Sequence, residues 1–180
     1  MTALPRSTLV LGGARSGKSA YAEGLIRDAS IHAVYLATAE AGDQEMAARI
    51  ARHRSQRGDG WRTIEEPLDL VGTLRMVVRA NRPVLVDCLT LWLSNLMHAE
   101  RDIAVETAAL VEAIGELAGP VVFVSNEVGQ GIVPDNTLAR AFRDHAGRLH
   151  QRVAAAADRV VFVTAGLPMV LKSPEKPTVK

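Results

Sequence analysis

The residues from Gly12 to Ser19 read GGARSGKS and carry the strongest chemical signal in the sequence. They match the pattern G-x-x-x-x-G-K-[ST], whose glycines let backbone N–H groups turn inward around phosphate oxygens. A predicted strand precedes the motif and a predicted helix follows it, so the helix N-terminus adds a field that favours anions. Lys18 would reach the β- and γ-phosphates of a nucleotide, and the Ser19 hydroxyl would hold Mg²⁺. The alternative is a glycine turn that binds no ligand.

Asp87 ends the apolar run Val84–Asp87 and is the natural partner of Ser19. A carboxylate at the end of such a strand holds Mg²⁺ directly or through water. It could also take a proton from a substrate hydroxyl, and the sequence does not separate these roles. The plain alternative is a helix cap, because aspartate caps helices well and Leu89–Leu96 has a helical pattern. The chain has no Asn-Lys-x-Asp motif for reading guanine, which argues against a switch GTPase.

A second cluster lies on the predicted helix Gln44–Gln56. Arg49, His53 and Arg57 follow one another at intervals of four residues and therefore share one stripe of a helix. Positive neighbours favour a neutral imidazole, which is a nucleophile, and they would stabilise negative charge on a phosphorus under attack. The stripe could thus do nucleophilic chemistry on a nucleotide phosphate. From spacing alone, however, a solvated basic helix face describes the same pattern better.

The segment Ser125–Pro134 contains two glycines, an Asn-Glu pair and a proline, directly after a predicted strand. It predicts a shaped loop at the carboxyl end of that strand, which is where ligands bind in open α/β sheets. The alternative is an ordinary connection from strand to helix. Asn136 would cap the helix that follows.

Two further histidines and the single cysteine are interpreted as structural residues and not as catalytic ones. His145 lies within an apolar stripe and is predicted to be partly buried. His150 has arginines two residues away on either side and is predicted at the surface. Cys88 is predicted to be a small buried residue and not a nucleophile. No spacing of His, Cys and Glu is typical of a zinc site.

The elements that must position these residues alternate between strand and helix. Continuous apolar runs predict strands at Thr8–Leu11, Ala33–Ala37, Val84–Asp87, Val121–Ser125 and Val160–Thr164. Helical spacing predicts helices at Ser19–Ala29, Gln44–Gln56, Ile103–Leu117 and Thr137–Ala157. Such alternation predicts an open, mainly parallel α/β sheet with helices on both faces, like that of P-loop NTPases. The pattern also allows an edge strand at Trp61–Ile64 and a small antiparallel edge.

Length and composition predict one nucleotide-binding domain over residues 1–172 and a polar tail over residues 173–180. The 180 residues are 48% hydrophobic, which excludes a disordered chain. A net charge of +1 and only 4% aromatic residues argue against partners such as nucleic acid. The longest apolar stretch is too short for a membrane span. One cysteine favours a reducing, cytoplasmic setting.

Several segments together resemble one enzyme family. They are GGARSGKS at Gly12–Ser19, EMAARI at Glu45–Ile50 followed by His53-Arg54, WRTIE at Trp61–Glu65, NEVGQGIVP at Asn126–Pro134, and the helix Leu138–Ala157. The family is the bifunctional adenosylcobinamide kinase / adenosylcobinamide-phosphate guanylyltransferase of cobalamin biosynthesis. The resemblance runs from the phosphate loop to about Gly166 and therefore covers almost the whole chain.

The resemblance implies two reactions. A nucleoside triphosphate, ATP or GTP, phosphorylates adenosylcobinamide with Mg²⁺. GTP then guanylylates an enzyme histidine, which falls on His53, and the GMP passes to adenosylcobinamide phosphate to give adenosylcobinamide-GDP. The catalytic residues are then His53 and Lys18, the metal is held by Ser19 and Asp87, and the enzyme is a homotrimer.

The resemblance also implies which positions contact the nucleotide. They are Gly12, Gly13, Ala14, Arg15, Ser16, Gly17, Lys18, Ser19, Ala37, Thr38, Ala39, Arg54, Ser55, Gln56, Arg57, Glu65 and Asp87. Two alternatives stay open beside the bifunctional enzyme. One is a P-loop small-molecule kinase with a different acceptor, and the other is an NTP-binding regulatory module that presents a surface to a partner.

Overall fold

A computed structural model describes residues 4–30, 32–39 and 60–174, which form strands and helices in alternation. The strands are β1 (Ser7–Gly12), β2 (Ala33–Ala37), β3 (Trp61–Glu65), β4 (Val84–Asp87), β5 (Val121–Asn126), β6 (Arg159–Thr164) and β7 (Leu167–Lys172). The helices are α1 (Lys18–Ala29), α2 (Leu70–Val77), α3 (Leu89–His98), α4 (Ile103–Glu116) and α5 (Thr137–Ala156). All five predicted strands are present, and the predicted bounds of β2 and β4 hold at both ends. The predicted helix Gln44–Gln56 lies outside the described residues.

The strands form one sheet in the order β3-β2-β4-β5-β1-β6-β7. Strands β1 to β6 are parallel to one another, and β7 pairs antiparallel with β6. In this register Gly12 lies opposite Asn126, and Ala37 lies opposite Asp87. The carboxyl ends of the parallel strands therefore meet at one edge of the sheet. The predicted mainly parallel sheet is confirmed, with β3 as a parallel edge strand and β7 as the small antiparallel edge.

Both faces of the sheet are covered, which explains why the strand sequences are continuously apolar. One face packs against α1 through residues such as Ala22 and Ile26, with Tyr35 and Leu85 of the sheet beneath them. The other face packs against α2, α3, α4 and α5, where Trp92 is fully buried. Because side chains alternate along a strand, neighbouring residues at each strand end point to opposite faces.

Local side-chain bonds fix where the helices begin. Asn136 accepts a hydrogen bond from the N–H of Ala139 at 3.1 Å and caps α5, as predicted. Asp102 caps α4, and Asp69 caps the unpredicted helix α2. Helix α3 is preceded by Cys88, which makes no side-chain cap, so Asp87 does not serve as the cap of that helix.

The hairpin between β6 and β7 braces the phosphate loop. Ala165 and Gly166 take φ of 51° and 79°, the left-handed geometry that a two-residue hairpin turn requires. The N–H of Gly166 donates to the carbonyl of Ser16 at 2.8 Å. The tight turn between β6 and β7 thus fixes the middle of the phosphate-loop motif, which follows β1.

Two further points concern the chain as a whole. Among the described residues, none of the helices combines the length and the apolar character needed to cross a bilayer. The division into a domain over residues 1–172 and a tail over residues 173–180 stays a prediction.

Candidate functional site

The phosphate-loop motif forms the connection between β1 and α1. Gly17 takes φ +94° and is the N-cap of α1, and Arg15 takes φ +55°, so the loop turns back over the end of β1. The first N–H groups of α1 have no partner within the helix, which is true of every helix N-terminus. Together with the helix dipole they form a site that favours an anion.

Close packing explains why glycine occupies the two positions that the motif specifies. A Cβ on Gly12 would lie 2.5 Å from the Ser16 hydroxyl and 2.5 Å from the Val163 carbonyl oxygen. A Cβ on Gly17 would lie 3.1 Å from the Cα of Gly166, at a φ that side chains rarely adopt. The loop is therefore pressed against β6 and the turn that follows it, with no room for larger residues.

Lys18 and Ser16 turn polar groups into the loop. Lys18 is only 9% exposed, and its Nζ donates to the carbonyl of Gly13 at 3.1 Å, folding the charge across the loop. The Ser16 hydroxyl is buried and has no hydrogen-bond partner among the described residues. A buried hydroxyl without a partner costs free energy. A phosphate oxygen of a nucleotide would accept from the Ser16 hydroxyl, and the Lys18 ammonium would attract the same charge.

Asp87 and Ser19 lie on the side of the sheet that α1 covers. Strand alternation puts Asp87 on the same face as Leu85, and the Tyr35 hydroxyl donates to Asp87 Oδ2 at 2.7 Å. Ser19 is half-buried in the first turn of α1. No group of three or more His, Cys, Asp or Glu side chains forms a metal cage in the described part of the chain. One hydroxyl and one carboxylate fit Mg²⁺, which keeps waters and binds substrate phosphates.

The segment Ala37–Ala39 joins the ends of β2 and β4. The Thr38 hydroxyl accepts from the N–H of Cys88 at 2.9 Å and donates to its carbonyl at 2.8 Å. The Thr38 carbonyl accepts from the Asn95 amide at 2.7 Å, and its N–H donates to the Asp87 carbonyl. All the polar groups of Thr38 are thus bonded within the protein, and its role as a nucleotide contact stays a prediction. The same holds for Ala37, for Ala39 and for Glu65, which is exposed at the end of β3.

The predicted loop after β5 begins beside the phosphate loop. The N–H of Glu127 donates to the carbonyl of Gly12 at 3.0 Å, and the Asn126 amide donates to the Thr90 hydroxyl at 3.1 Å. The Glu127 carboxylate accepts from the N–H of Gly129 at 2.6 Å. The Asn-Glu pair that marked this segment in the sequence therefore lies at the carboxyl edge, next to the candidate nucleotide site.

His150 is buried, and the prediction that it lies at the surface was wrong. It is 6% exposed, its Nε2 lies 2.7 Å from the Ser125 hydroxyl, and its Nδ1 lies 3.8 Å from Glu127 Oε2. Burial lowers the pKa of His150, and the Glu127 carboxylate opposes that shift. The signal was available in the sequence, because Ala146 and Val153 share its buried helical stripe while the neighbouring arginines point to solvent.

Two other structural interpretations are confirmed. Cys88 is 4% exposed, and burial, followed by the nearby charge of Asp87, raises the pKa of its thiol. His145 is half-buried on α5.

The predicted nucleophile lies outside the described residues. This applies to His53, to the arginines at 49 and 57 that share its stripe, and to the predicted nucleotide contacts Arg54, Ser55 and Gln56. Their roles stay predictions. Of the predicted site residues, the structure brings together those of the phosphate loop and Asp87 at one edge of the sheet.

Comparisons with known proteins show which family the chain resembles. A model of the family described as "Cobinamide kinase / cobinamide phosphate guanyltransferase" matches residues 8–171. The chain is 52% identical, over 166 residues, to the bifunctional adenosylcobalamin biosynthesis protein CobP of Pseudomonas aeruginosa, covering 91% of this chain and 96% of that protein. It is 42% identical, over 179 residues, to the bifunctional adenosylcobalamin biosynthesis protein CobU of Escherichia coli K12, covering 91% and 98%.

Solved structures agree on the fold. An ATPase domain of known structure superposes with a TM-score of 0.55 at 12% identity, covering 98% of this chain and 80% of that one. At this identity the likeness concerns the fold alone. It confirms the predicted class, a P-loop NTPase-like sheet.

Proposed function

The chain belongs to the family of cobinamide kinases / cobinamide phosphate guanyltransferases of adenosylcobalamin biosynthesis, and we propose that it catalyses both reactions on adenosylcobinamide. In the first, ATP or GTP phosphorylates the hydroxyl of adenosylcobinamide. In the second, GMP passes from GTP through an enzyme histidine to adenosylcobinamide phosphate. The products of the second reaction are adenosylcobinamide-GDP and pyrophosphate.

The observation that carries the proposal is the polar lining of the phosphate loop. The Lys18 ammonium folds over the Gly13 carbonyl, and the Ser16 hydroxyl is buried without a partner among the described residues. The N-terminus of α1 points at the same place. These groups suit the triphosphate that both reactions consume.

In the kinase step this chain's residues bind and orient the nucleotide. The loop N–H groups and Lys18 would hold the β- and γ-phosphates while the acceptor oxygen attacks the γ-phosphorus. Ser19 and Asp87 would hold Mg²⁺, and Tyr35 fixes the carboxylate through its 2.7 Å hydrogen bond. When bound, Mg²⁺ neutralises part of the phosphate charge.

In the transferase step His53 would attack the α-phosphorus of GTP. A phosphorus–nitrogen bond forms, the bond from the α-phosphorus to its bridging oxygen breaks, and pyrophosphate leaves into the loop that already suits its charge. An oxygen of adenosylcobinamide phosphate then attacks the same phosphorus and releases the histidine. Arg54 to Arg57 would stabilise the charge that develops.

The test uses GTP labelled on its α-phosphate. We expect the wild-type protein to gain a covalent label that is labile in acid and stable in base, and His53→Ala to gain none while it still phosphorylates adenosylcobinamide. His98→Ala is the control, because it removes an exposed histidine at the end of α3 to which no step of either reaction is assigned. Label that persists in His53→Ala, or fails to form in the wild type, rules out the assigned intermediate.

The same samples separate the alternatives. A simple kinase with another acceptor would transfer only the γ-phosphate and gain no α-label. A regulatory module would bind the triphosphate tightly and turn over slowly with or without an acceptor. We further propose that the protein is cytoplasmic and that it forms a homotrimer. Light scattering of the purified protein would test the trimer by its mass.

A further inference from the structure

Three polar side chains, those of Ser125, His150 and Glu127, lie close together at the carboxyl end of β5. The Ser125 hydroxyl is fully buried and lies 2.7 Å from Nε2 of His150, which α5 supplies from the same face of the sheet. Nδ1 of His150 has no hydrogen-bond partner among the described residues and lies 3.8 Å from Oε2 of Glu127. The imidazole thus connects a buried serine with a carboxylate at the carboxyl edge of the sheet.

The arrangement selects one form of the imidazole. Burial disfavours the imidazolium, so His150 is neutral and carries one ring proton. If Ser125 donates to Nε2, the proton sits on Nδ1 and points towards the Glu127 carboxylate. The opposite tautomer would turn a lone pair towards a negative oxygen, which is repulsive. No substrate reaches Ser125, so the serine orients the histidine and is not a nucleophile.

Glu127 is held beside the first residue of the phosphate loop. Its N–H donates to the Gly12 carbonyl at 3.0 Å, and its Oε1 accepts from the N–H of Gly129 at 2.6 Å. The side chain is 22% exposed, so the carboxylate is held by the Gly129 N–H and still reaches solvent. Glu127 follows the carboxyl end of β5, and ligands bind at these strand ends in such sheets.

Three other carboxylates that follow or end strands at this edge have partners of their own or lie further from β1. Asp87 accepts from Tyr35 and is assigned to the metal, and Glu66 Oε1 accepts from the N–H groups of Leu68 and Asp69 at 3.0 and 2.8 Å. Glu65 ends β3, which lies four strand positions from β1, or about 19 Å. Glu127 follows β5, the direct neighbour of β1.

We propose that Glu127 is the general base of the kinase step and that His150 is the residue that positions it. As the acceptor oxygen bonds to the γ-phosphorus, its O–H bond breaks and the proton passes to Glu127. The bond between the γ-phosphorus and the bridging oxygen breaks, and the nucleoside diphosphate leaves with that electron pair. Glu127 later releases its proton to solvent. This inference rests on the proposed kinase activity.

The test separates the two reactions in one variant. Glu127→Gln keeps the size of the side chain and an oxygen for Gly129, but cannot take the proton. We expect kcat for phosphorylation of adenosylcobinamide to fall at least about 100-fold, the lower range for a lost general base. The KM for the nucleotide should stay unchanged. Labelling by α-labelled GTP should also persist, because that step removes no proton from an acceptor hydroxyl.

Glu66→Gln is the matched control, since it places the same substitution at another backbone-bonded carboxylate of this edge. It should keep full kinase activity. Glu127→Gln that retains kcat within about threefold of wild type, or that loses labelling together with kinase activity, overturns the assignment. If the wild-type protein phosphorylates no adenosylcobinamide, the proposed function itself is refuted. This outcome differs from failure of the Glu127 assignment, because it is seen without any substitution.

His150 is tested by two amides that imitate its two nitrogens. His150→Asn places an N–H donor near the position of Nδ1, whereas His150→Gln reaches the position of Nε2 and leaves Glu127 unsupported. We expect the second to lower kcat about 10-fold without changing KM, and the first to retain most of the activity. Adding His150→Gln to Glu127→Gln should cost nothing further, because one acts through the other. Equal losses of kcat in His150→Asn and His150→Gln would exclude the positioning role. Additive losses in the double variant would exclude it as well.

Discussion

The packing around Gly12 makes a quantitative prediction about the root of the phosphate loop. Replacing Gly12 by alanine adds one methyl group, 2.5 Å from the Ser16 hydroxyl and 2.5 Å from the Val163 carbonyl oxygen. The serine side chain can rotate away, but the carbonyl belongs to the backbone of β6, which is paired with β1. The methyl group therefore fits only if two strands of the central sheet move apart.

Such overpacking typically costs about 1–3 kcal/mol. For a chain of 180 residues each kcal/mol lowers the midpoint of thermal unfolding by about 2–4 °C. We expect Gly12→Ala to unfold about 2–12 °C below the wild type. It should also bind nucleotide more weakly, because moving the end of β1 displaces the phosphate loop that begins there.

Gly13→Ala is the control, because the two glycines are adjacent in the same loop. A Cβ on Gly13 meets nothing within 4 Å, and Gly13 does not take a positive φ. The midpoint of thermal unfolding of the nucleotide-free protein should be unchanged or slightly raised in this variant, since alanine lowers the entropy of the unfolded chain. If both variants lose the same stability, or neither does, the packing argument is wrong.

Two further predictions concern the hydrogen bond from Tyr35 to Asp87 and the burial of His150. Tyr35→Phe removes the donor to Asp87 Oδ2 and should raise the Mg²⁺ concentration for half-maximal kinase activity about 10-fold, with an unchanged response contradicting the metal role of Asp87. Burial lowers the pKa of His150, so the unfolded chain binds more protons as pH falls below about 6.5 and stability drops. Urea unfolding at pH 7.5 and pH 5.5 should show a smaller drop for His150→Gln, and equal drops would refute this.

The strands and the phosphate loop could be predicted because their signals are local. A continuous apolar run marks a strand covered on both faces, and Val84–Asp87 shows it without ambiguity. The motif Gly12–Ser19 fixes its own neighbours, since the loop functions only between a strand and a helix. These predictions needed no knowledge of which strand pairs with which.

What the sequence could not supply is the order of the strands. That Glu127 lies next to Gly12, and Asp87 one strand further away, follows from β5 being inserted between β1 and β4. Non-local pairing leaves no trace in a window of a few residues. A small antiparallel edge was predicted, but without the bounds of β7, because none of its residues is buried and its apolar pattern therefore indicates no face.

His150 shows how a local signal can mislead. Charged neighbours on both sides indicated a surface position, but a helix places residues two apart on different faces. The relevant partners are those three and four residues away, and Ala146 and Val153 are both fully buried. The error matters, because the buried imidazole led to the proposed base.

The end of β5 shows why the register between β1 and β5 matters for chemistry as well as for stability. Ser125 and Asn126 are adjacent, so their side chains point to opposite faces of the sheet. The Ser125 hydroxyl bonds to His150 of α5, and the Asn126 amide donates to the Thr90 hydroxyl in the first turn of α3. A shift of β5 by one residue would exchange these faces and remove Glu127 from the Gly12 carbonyl. The pairing of Gly12 with Asn126 therefore places the carboxylate and the phosphate loop at one edge of the sheet.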